Sequence, residues 1–554
     1  MFKTAAAIGL TALLTTTIAH AMDMPMGVPQ TLSGWAKGAQ EFPDLGKFHR
    51  KVTTKSAAAQ RYFDQGMRFI FAFNHDEATR SFAKAAELDP KCASCLWGVA
   101  LTLGPNYNMP MMAEARAKVG WSAVEKAKAL PATPVEHALI VALEKRFDKA
   151  MPLDPSTGPA RIDAYADAMK KVAARYPNDL DVQVLYAESL MNKNPWKLWD
   201  AAGKPGADTN EIVAVLERVL AKDVNHPGAN HYYIHALEAS PHPEKALAAA
   251  NRLGGMMPAA GHLDHMPAHI YQRVGQYEAS AEANRKGAIA DAAYYKQTAA
   301  LDYYPMYTSH NYQFLASSAA MEGRKAETVD AVAKSRASIS DDLLAGMGGV
   351  DWYVAFSYEA MLRFGLWDEA IAAPPPSARL PGLTVAYQEA RATALAVKGR
   401  LDEAEKAAAA LDAAIAATPD DYRCGQNLAK DCYAVSSLRA HARIALARHE
   451  TDKGLDLLRQ AVAREDKLGY DEPSDAFFPT RHVLGAQLLA AGKPADAEAV
   501  YRADLKQNAE NGWALYGLKA ALEAQGKRAE SADAGKRFDA AWKHADVALT
   551  ASAY

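Results

Sequence analysis

Histidine side chains are concentrated in one part of this 554-residue sequence, which contains 16 of them. Seven lie between residues 231 and 310, far more than an even distribution would place there. His231 and His235 are four residues apart, and so are His265 and His269. Neutral imidazole is the commonest metal ligand, and two histidines with this spacing on a helix can bind one ion. The segment therefore predicts a transition-metal site.

The histidines also recur in register. Three segments, starting at residues 227, 261 and 309, carry histidine at their second, fifth or ninth position. These positions share one face of a helix, and stacked repeats bring equivalent positions side by side. We therefore expect six imidazoles to converge on one patch. They belong to His231, His235, His262, His265, His269 and His310.

Two carboxylates are predicted to join the histidines. Glu238 continues the stripe of His231 and His235 by one helical turn, and Glu188 maps near the ninth position of the preceding helix pair. Three or four imidazoles with a carboxylate would suit zinc, copper or iron. The alternative is a polar groove that hydrogen-bonds a partner peptide, and the sequence leaves both interpretations open.

Familiar catalytic motifs are missing from the sequence. His231 and His235 have the spacing of a zincin, but Tyr232 stands where the catalytic glutamate would be. We find no Gly-x-Ser-x-Gly elbow, Walker loop or dinucleotide-binding glycine motif. The sequence does not decide whether the protein is an enzyme.

Helical repeats must position the histidines. Helical patterns separated by short turns run from about Ser56 to the C-terminus, and strand signals are nearly absent. The clearest unit, residues 59–92, matches the 34-residue tetratricopeptide (TPR) pattern of small, aromatic and proline positions. We therefore predict an all-α, superhelical TPR-type α-solenoid of about ten to twelve helix pairs. The matching residues are Gly66, Ala78, Phe82, Ala85 and Pro90.

Three regions follow from this interpretation: a signal peptide at residues 1–21, an N-terminal extension at 22–55 and the solenoid at 56–554. The clearest repeats span residues 59–92, 227–260, 261–294, 309–342, 478–511 and 512–545.

Pro267 alters the expected start of one helix. It falls inside the predicted first helix of its repeat, so we expect that helix to start near His265 and leave His262 in a loop.

The first 21 residues have the pattern of a cleavable secretory signal. Lys3 precedes an uncharged stretch from Thr4 to Ile18, and Ala19 and Ala21 fit the small-x-small rule for cleavage after Ala21. An uncleaved anchor is the alternative, although the stretch is short for a membrane span. We expect a periplasmic or secreted protein, with no later membrane span.

The four cysteines form two local pairs, Cys92 with Cys95 and Cys424 with Cys432. An oxidising compartment favours two local disulfides. A Cys-x-x-Cys redox pair and a zinc site built from all four are the alternatives.

Irregular insertions interrupt the repeats at residues 104–112, 151–160 and 195–209. Long loops in a repeat array are more often functional than accidental. We expect some of their side chains, with tyrosines of the histidine segments, to line the groove. The predicted groove-lining residues are Asn106, Asn108, Trp196, Tyr232 and Tyr271.

The charge balance argues against a nucleic-acid-binding protein. Lys and Arg number 62, Asp and Glu number 65, and the formal net charge is −3. No Lys/Arg-rich run offsets this.

Several segments together resemble one family. Residues 231–238 and 261–271 carry the histidines, and 73–78, 92–98 and 194–196 match as well. The chain resembles exported bacterial TPR proteins with a histidine-rich central segment, over nearly the whole mature length. The resemblance implies the TPR fold and a concave groove lined by the first helix of each pair.

Two functional hypotheses follow. The first is an exported binding protein that holds a protein or peptide partner in its groove, with a candidate metal site there. The second is a metalloenzyme whose zinc, copper or iron activates water or oxygen.

Overall fold

The computed structural model of the protein describes residues 27–153, 158–298, 304–347 and 349–554. These residues are mostly helical, and their consecutive helices pack against one another along the chain. The prediction of an all-α, TPR-type α-solenoid is confirmed. The predicted signal peptide lies outside the described residues, so export stays a prediction.

Helices make up nearly all of the regular secondary structure in the described ranges. Besides the α-helices there are two 3-10 helices, Pro243–Ala246 and Val350–Val354, and an antiparallel ribbon of β1 (Arg423–Cys424) and β2 (Asn427–Leu428). The α-helices are α1 (Leu32–Lys37), α2 (Ala57–Phe71), α3 (His75–Leu88), α4 (Ala93–Leu103), α5 (Glu114–Lys128), α6 (Pro134–Glu144), α7 (Pro159–Arg175), α8 (Leu180–Met191), α9 (Thr209–Lys222), α10 (Pro227–Leu237), α11 (Leu247–Leu253), α12 (Gly261–His265), α13 (Pro267–Arg273), α14 (Tyr277–Gln297), α15 (Tyr304–Met321), α16 (Lys325–Ser338), α17 (Asp341–Gly346), α18 (Phe356–Arg363), α19 (Trp367–Ala372), α20 (Pro381–Val397), α21 (Leu401–Ala417), α22 (Ala429–Ala447), α23 (Thr451–Glu465), α24 (Thr480–Ala490), α25 (Pro494–Gln507), α26 (Gly512–Ala524) and α27 (Arg528–Ala541).

The first helix pair shows why the repeat positions need small residues. The Phe82 ring on α3 is fully buried between Gly66 on α2 and Gly98 on α4. A β-carbon added at Gly66 would lie 2.6 Å from the ring, and one added at Gly98 would lie 2.4 Å from it. Larger residues would push the three helices apart.

Contacts between distant repeats close the array on itself. The Tyr294 hydroxyl on α14 donates to the Glu77 carboxylate on α3 at 3.2 Å, across 217 residues of sequence. Near the other end, Trp513 Nε1 donates to the Ala320 carbonyl at 2.8 Å. Buried apolar residues form a first core within residues 35–270, a second core within 281–513 and a smaller third core within 442–534. Helices α10 to α13 contribute to the first core, and helices α14 and α15 contribute to the second.

The expectation for Pro267 is wrong in one respect. The helix is divided into α12 and α13, but Met266 between them keeps right-handed helical angles (φ −52°, ψ −35°). Pro267 lacks a backbone N–H donor, but the chain keeps its helical path from α12 into α13, because a proline is tolerated as the first residue of a helix. His262 therefore lies within α12, and not in a loop.

The two cysteine pairs differ. Cys92 and Cys95 form a disulfide at the start of α4. The predicted second disulfide is not present: Cys424 and Cys432 are free, buried thiols. Both donate to the Asp475 carboxylate, at 3.6 and 3.5 Å.

Across the part of the chain that the structure describes, no helix has both the length and the apolar character needed to cross a bilayer.

Candidate metal centre

The six predicted histidines converge in two groups of three. His231, His235 and His262 each place a ring nitrogen within 4.8 Å of the other two, and we call them the first triad. A second set of three has the same closeness, and we call it the second triad. It consists of His265, His269 and His310.

The first triad is held by α10 and α12. His231 Nδ1 lies 2.6 Å from the Phe71 carbonyl, which can only accept, so Nδ1 carries the proton and Nε2 is a free lone pair. His235 Nδ1 lies 2.9 Å from Glu238 Oε1. Nε2 of both rings and both nitrogens of His262 have no hydrogen-bond partner among the described residues. Buried polar atoms without partners are rare, and an inward-facing set of them suits a ligand.

The second triad is held by α12, α13 and α15. His265 Nδ1 lies 2.6 Å from Asn284 Oδ1, and the Asn284 amide is oriented by its donation to the Ser280 carbonyl. His265 Nδ1 therefore carries the proton. The Nε2 atoms of His265 and His269 are hydrogen-bonded at 2.6 Å, so both face the interior of the triad. The imidazole of His310 stacks edge-on against His265, with ring centroids 4.8 Å apart.

Glu238 contacts one histidine of each triad. Its Oε1 accepts from His235, and its Oε2 lies 3.1 Å from His269 Nδ1. Glu472, from the segment between α23 and α24, also contacts His269 Nδ1. Burial, reinforced by the Glu472 carboxylate, raises the pKa of Glu238 well above its usual range. These carboxylates orient the ligand rings in the way that residues behind metal-binding histidines commonly do.

Glu188 does not join the histidines, contrary to the prediction. It is buried, and one of its oxygens accepts from Asn192 Nδ2 at 2.6 Å. Burial raises its pKa to about 7, against the opposing charge of Arg146. It belongs to none of the groups of closely spaced ligand atoms in the described chain.

Five of the imidazoles are neutral at neutral pH. Burial lowers the pKa of His231 to about 3 and that of His310 to about 4. Burial and the neighbouring imidazoles lower the pKa of His235, His262 and His265 well below the ordinary value. Neutral imidazoles can offer lone pairs to a metal without first losing a proton.

Aromatic rings frame the first triad. Phe73 stacks on His235 and His262, with centroids 5.5 and 5.7 Å apart, and Trp196 meets His235 edge-on at 5.6 Å. Phe73 and Trp196 both have left-handed backbone angles (φ 52° and 61°). Such angles are unfavourable for bulky residues and are concentrated at functional sites. Phe73 lies in the short turn before α3, where the Asn74 side chain caps that helix.

A cavity of about 840 Å³ opens beside the histidines. Two histidines of each triad form part of its wall, and the three insertions that the sequence indicated as functional also contribute to the wall. The triad members in the wall are His235, His262, His269 and His310.

The predicted groove-lining residues divide between the cavity wall and other places. Asn108 and Trp196 line the cavity. Asn106 is buried behind it and accepts from the backbone amides of residues 108 and 109. Tyr232 packs in the core against Phe73, and the Tyr271 hydroxyl donates to Asn251 away from the cavity. Both are offset from the histidine stripe and lie outside the cavity wall, although the Tyr232 ring packs beside His231, with centroids 5.3 Å apart.

Sequence reasoning missed Glu472 and the cavity residues Tyr307 and Tyr353. Glu472 lies in an irregular segment about two hundred residues after His269, where no periodicity indicates a face. Tyr307 lies one helical turn before His310 on α15, so its position on the histidine stripe could have identified it.

Comparisons with known proteins add little to this geometry. No protein-family model matches the chain, and no curated protein matches it. Among solved structures, the Cut9–Hcn1 hetero-tetramer of the APC/C is 11% identical over 87% of this chain and 76% of that chain, with a TM-score of 0.32. Human IFIT1 bound to m7Gppp-AAAA is 12% identical over 88% and 90%, also with a TM-score of 0.32. Likenesses of this size carry no functional conclusion for the chain.

Proposed function

We propose that the protein is a metalloenzyme that binds zinc, copper or iron at the triads and acts on a small molecule in the adjoining cavity. The observation that supports this most is the convergence of six imidazoles in two groups beside an open cavity, with four ring nitrogens of the first triad left without a hydrogen-bond partner among the described residues. Three histidines with an open position are a common catalytic arrangement, whereas structural sites are closed by four protein ligands. A metal there would activate water or oxygen.

The cavity favours a small molecule over a protein partner. Its volume of about 840 Å³ lies within the range of small-molecule sites. A stable protein interface needs a broad surface instead. Binding of a protein or peptide in the concave groove stays a prediction.

The test is elemental analysis of protein purified without an affinity-tag metal column. We expect near-stoichiometric metal in the wild type and almost none in His235→Ala/His269→Ala, which removes one ligand from each triad. His242→Ala is the matched control, because His242 belongs to the same segment but is exposed, and its side chain bonds only to Glu244 among the described residues. A wild type that contains no metal and takes up none on titration would overturn the proposal.

A further inference from the structure

We propose that the centre is dinuclear, with one metal ion on each triad and both ions facing the same cavity. This inference rests on the proposed function and extends it, because two ions that share a substrate pocket can hold one small ligand between them. A single ion bound by a mixture of the six histidines is the competing arrangement.

The repeat itself generates two equivalent sites. The first triad combines the fifth and ninth positions of one repeat, His231 and His235, with the second position of the next, His262. The second triad combines the same positions one repeat further along: His265, His269 and His310. A repeat that builds one ligand set therefore builds it twice.

The ring distances show the same equivalence. In the first triad, the ring of the fifth-position histidine lies 4.9 and 5.0 Å from the other two rings. In the second triad, the corresponding distances are 4.6 and 4.8 Å. The remaining pair in each triad is separated by 6.1 and 6.0 Å, respectively.

The partners behind the rings are equivalent too. Each fifth-position histidine holds its Nδ1 proton on an oxygen at 2.6 Å, the Phe71 carbonyl for His231 and the Asn284 amide for His265. Each ninth-position histidine turns Nδ1 toward Glu238, and His269 Nδ1 also contacts Glu472. Both arrangements orient Nε2 toward the interior of the triad. Hydrogen bonds to Nδ1 orient metal-binding histidines in the same way.

The two sites are close enough to act together. The rings of His235 and His269 are 6.0 Å apart, and so are those of His262 and His265. These two pairs are thus no further apart than the most widely separated rings within the first triad, at 6.1 Å. All four of the second- and ninth-position histidines line the cavity, so a ligand there can reach both ions.

Copper(II) is the probe for counting sites, because it binds nitrogen ligands most tightly among the divalent first-row metals. The full chain is loaded with copper(II) sulfate, passed through a gel-filtration column in glycine buffer to remove surface copper, and analysed for copper per chain. We expect two ions in the wild type and in His242→Ala. We expect a two-fold drop in His231→Ala and in His310→Ala, and none bound when both are changed.

Each other result has a distinct meaning. One copper per chain, lost in either single variant, would overturn the dinuclear centre and leave the proposed function standing. No copper in the wild type would overturn both.

Electron paramagnetic resonance of the wild type tests the proposal without any variant. When the second equivalent is added, we expect dipolar broadening and a half-field signal instead of a doubled isolated-copper spectrum. Two additive, unbroadened spectra would overturn the shared centre.

Discussion

Glu238 is the residue on which both triads depend. Its two oxygens contact Nδ1 of His235 and of His269, and its side chain is almost fully buried. Replacing it by Gln keeps its size but leaves only one acceptor oxygen for the two rings. Because such partners set the orientation and basicity of metal ligands, we expect Glu238→Gln to weaken metal binding about 10- to 100-fold, measured by competition with a chelator of known affinity.

Glu188→Gln is the matched control for that measurement. Glu188 is also a buried glutamate, but it contacts Asn192 and not the histidines. Its variant should bind metal as the wild type does. Equal losses in the two variants would mean that Glu238 acts through the stability of the fold and not through the ligands.

The histidines could be predicted at the residue scale because they repeat in register on one helix face, and helix geometry places such residues together. The same alignment predicts Glu188 among the ligands, and that prediction is wrong, because its carboxylate bonds to Asn192 at the end of its own helix and interacts with Arg146. Glu472 could not be predicted, because its segment has no helical period and reaches His269 only through the closure of the whole array.

At the scale of elements, Asp291 joins α14 to α15, the helix that carries His310. Its carboxylate accepts from the Tyr304 hydroxyl at 2.9 Å, the Thr308 hydroxyl at 3.0 Å and Asn311 Nδ2 at 2.9 Å. Burial nevertheless raises its pKa to about 7, from 3.8. Between these two values the folded chain keeps a proton that the unfolded chain releases, so the stability falls as the pH rises.

We expect this loss of stability to disappear in Asp291→Asn, which cannot titrate. Between pH 5 and pH 8, with a chelator present, the stability of the wild type relative to the variant should fall by about 2.6 kcal/mol. Urea unfolding at the two pH values measures the difference, and other titrating groups cancel in the comparison. A relative stability that rises with pH would show that the hydrogen bonds outweigh burial and lower the pKa.

The segment that carries Glu472 is held in place by the β-ribbon. Asn427 Nδ2 donates to Asp475 at 2.6 Å and to the Gly469 carbonyl at 3.1 Å, and Asn427 Oδ1 accepts from the Gly469 amide at 2.8 Å. The Cys424 and Cys432 thiols bond to the same Asp475. These contacts position Glu472 against His269.

We expect Asn427→Ala to loosen this segment, because it removes three hydrogen bonds at once. Hydrogen exchange of residues 468–478 should become at least several-fold faster, and metal should dissociate faster from the variant. Gln460→Ala is the control, since Gln460 is exposed and, within the described ranges, its side chain bonds only to Asp456 of its own helix. Unchanged exchange in Asn427→Ala would show that the segment is held by its apolar contacts alone.

At the scale of the whole molecule, the centre connects the first two cores. Five of its histidines lie on helices of the first core, whereas His310 lies on a helix of the second core and Glu472 lies on a segment packed against it. A metal on these ligands would therefore bind the folded arrangement of both parts and not the unfolded chain. The all-α solenoid was predictable from local repeats, but this closure was not, because local patterns contain no information on which distant repeats meet.

Metal should therefore stabilise the whole chain and not one helix pair. At a free metal concentration 100 times the Kd, linkage predicts about 2.7 kcal/mol of added stability for each site. We expect a calorimetric transition several degrees higher than in chelator-treated protein, and slower hydrogen exchange in both α10 and α15. His235→Ala/His269→Ala should show neither change, while His242→Ala should show both. If bound metal slowed exchange in α10 alone, the centre would belong to the first core only, and α15 and Glu472 would pack beside it without taking part in metal binding.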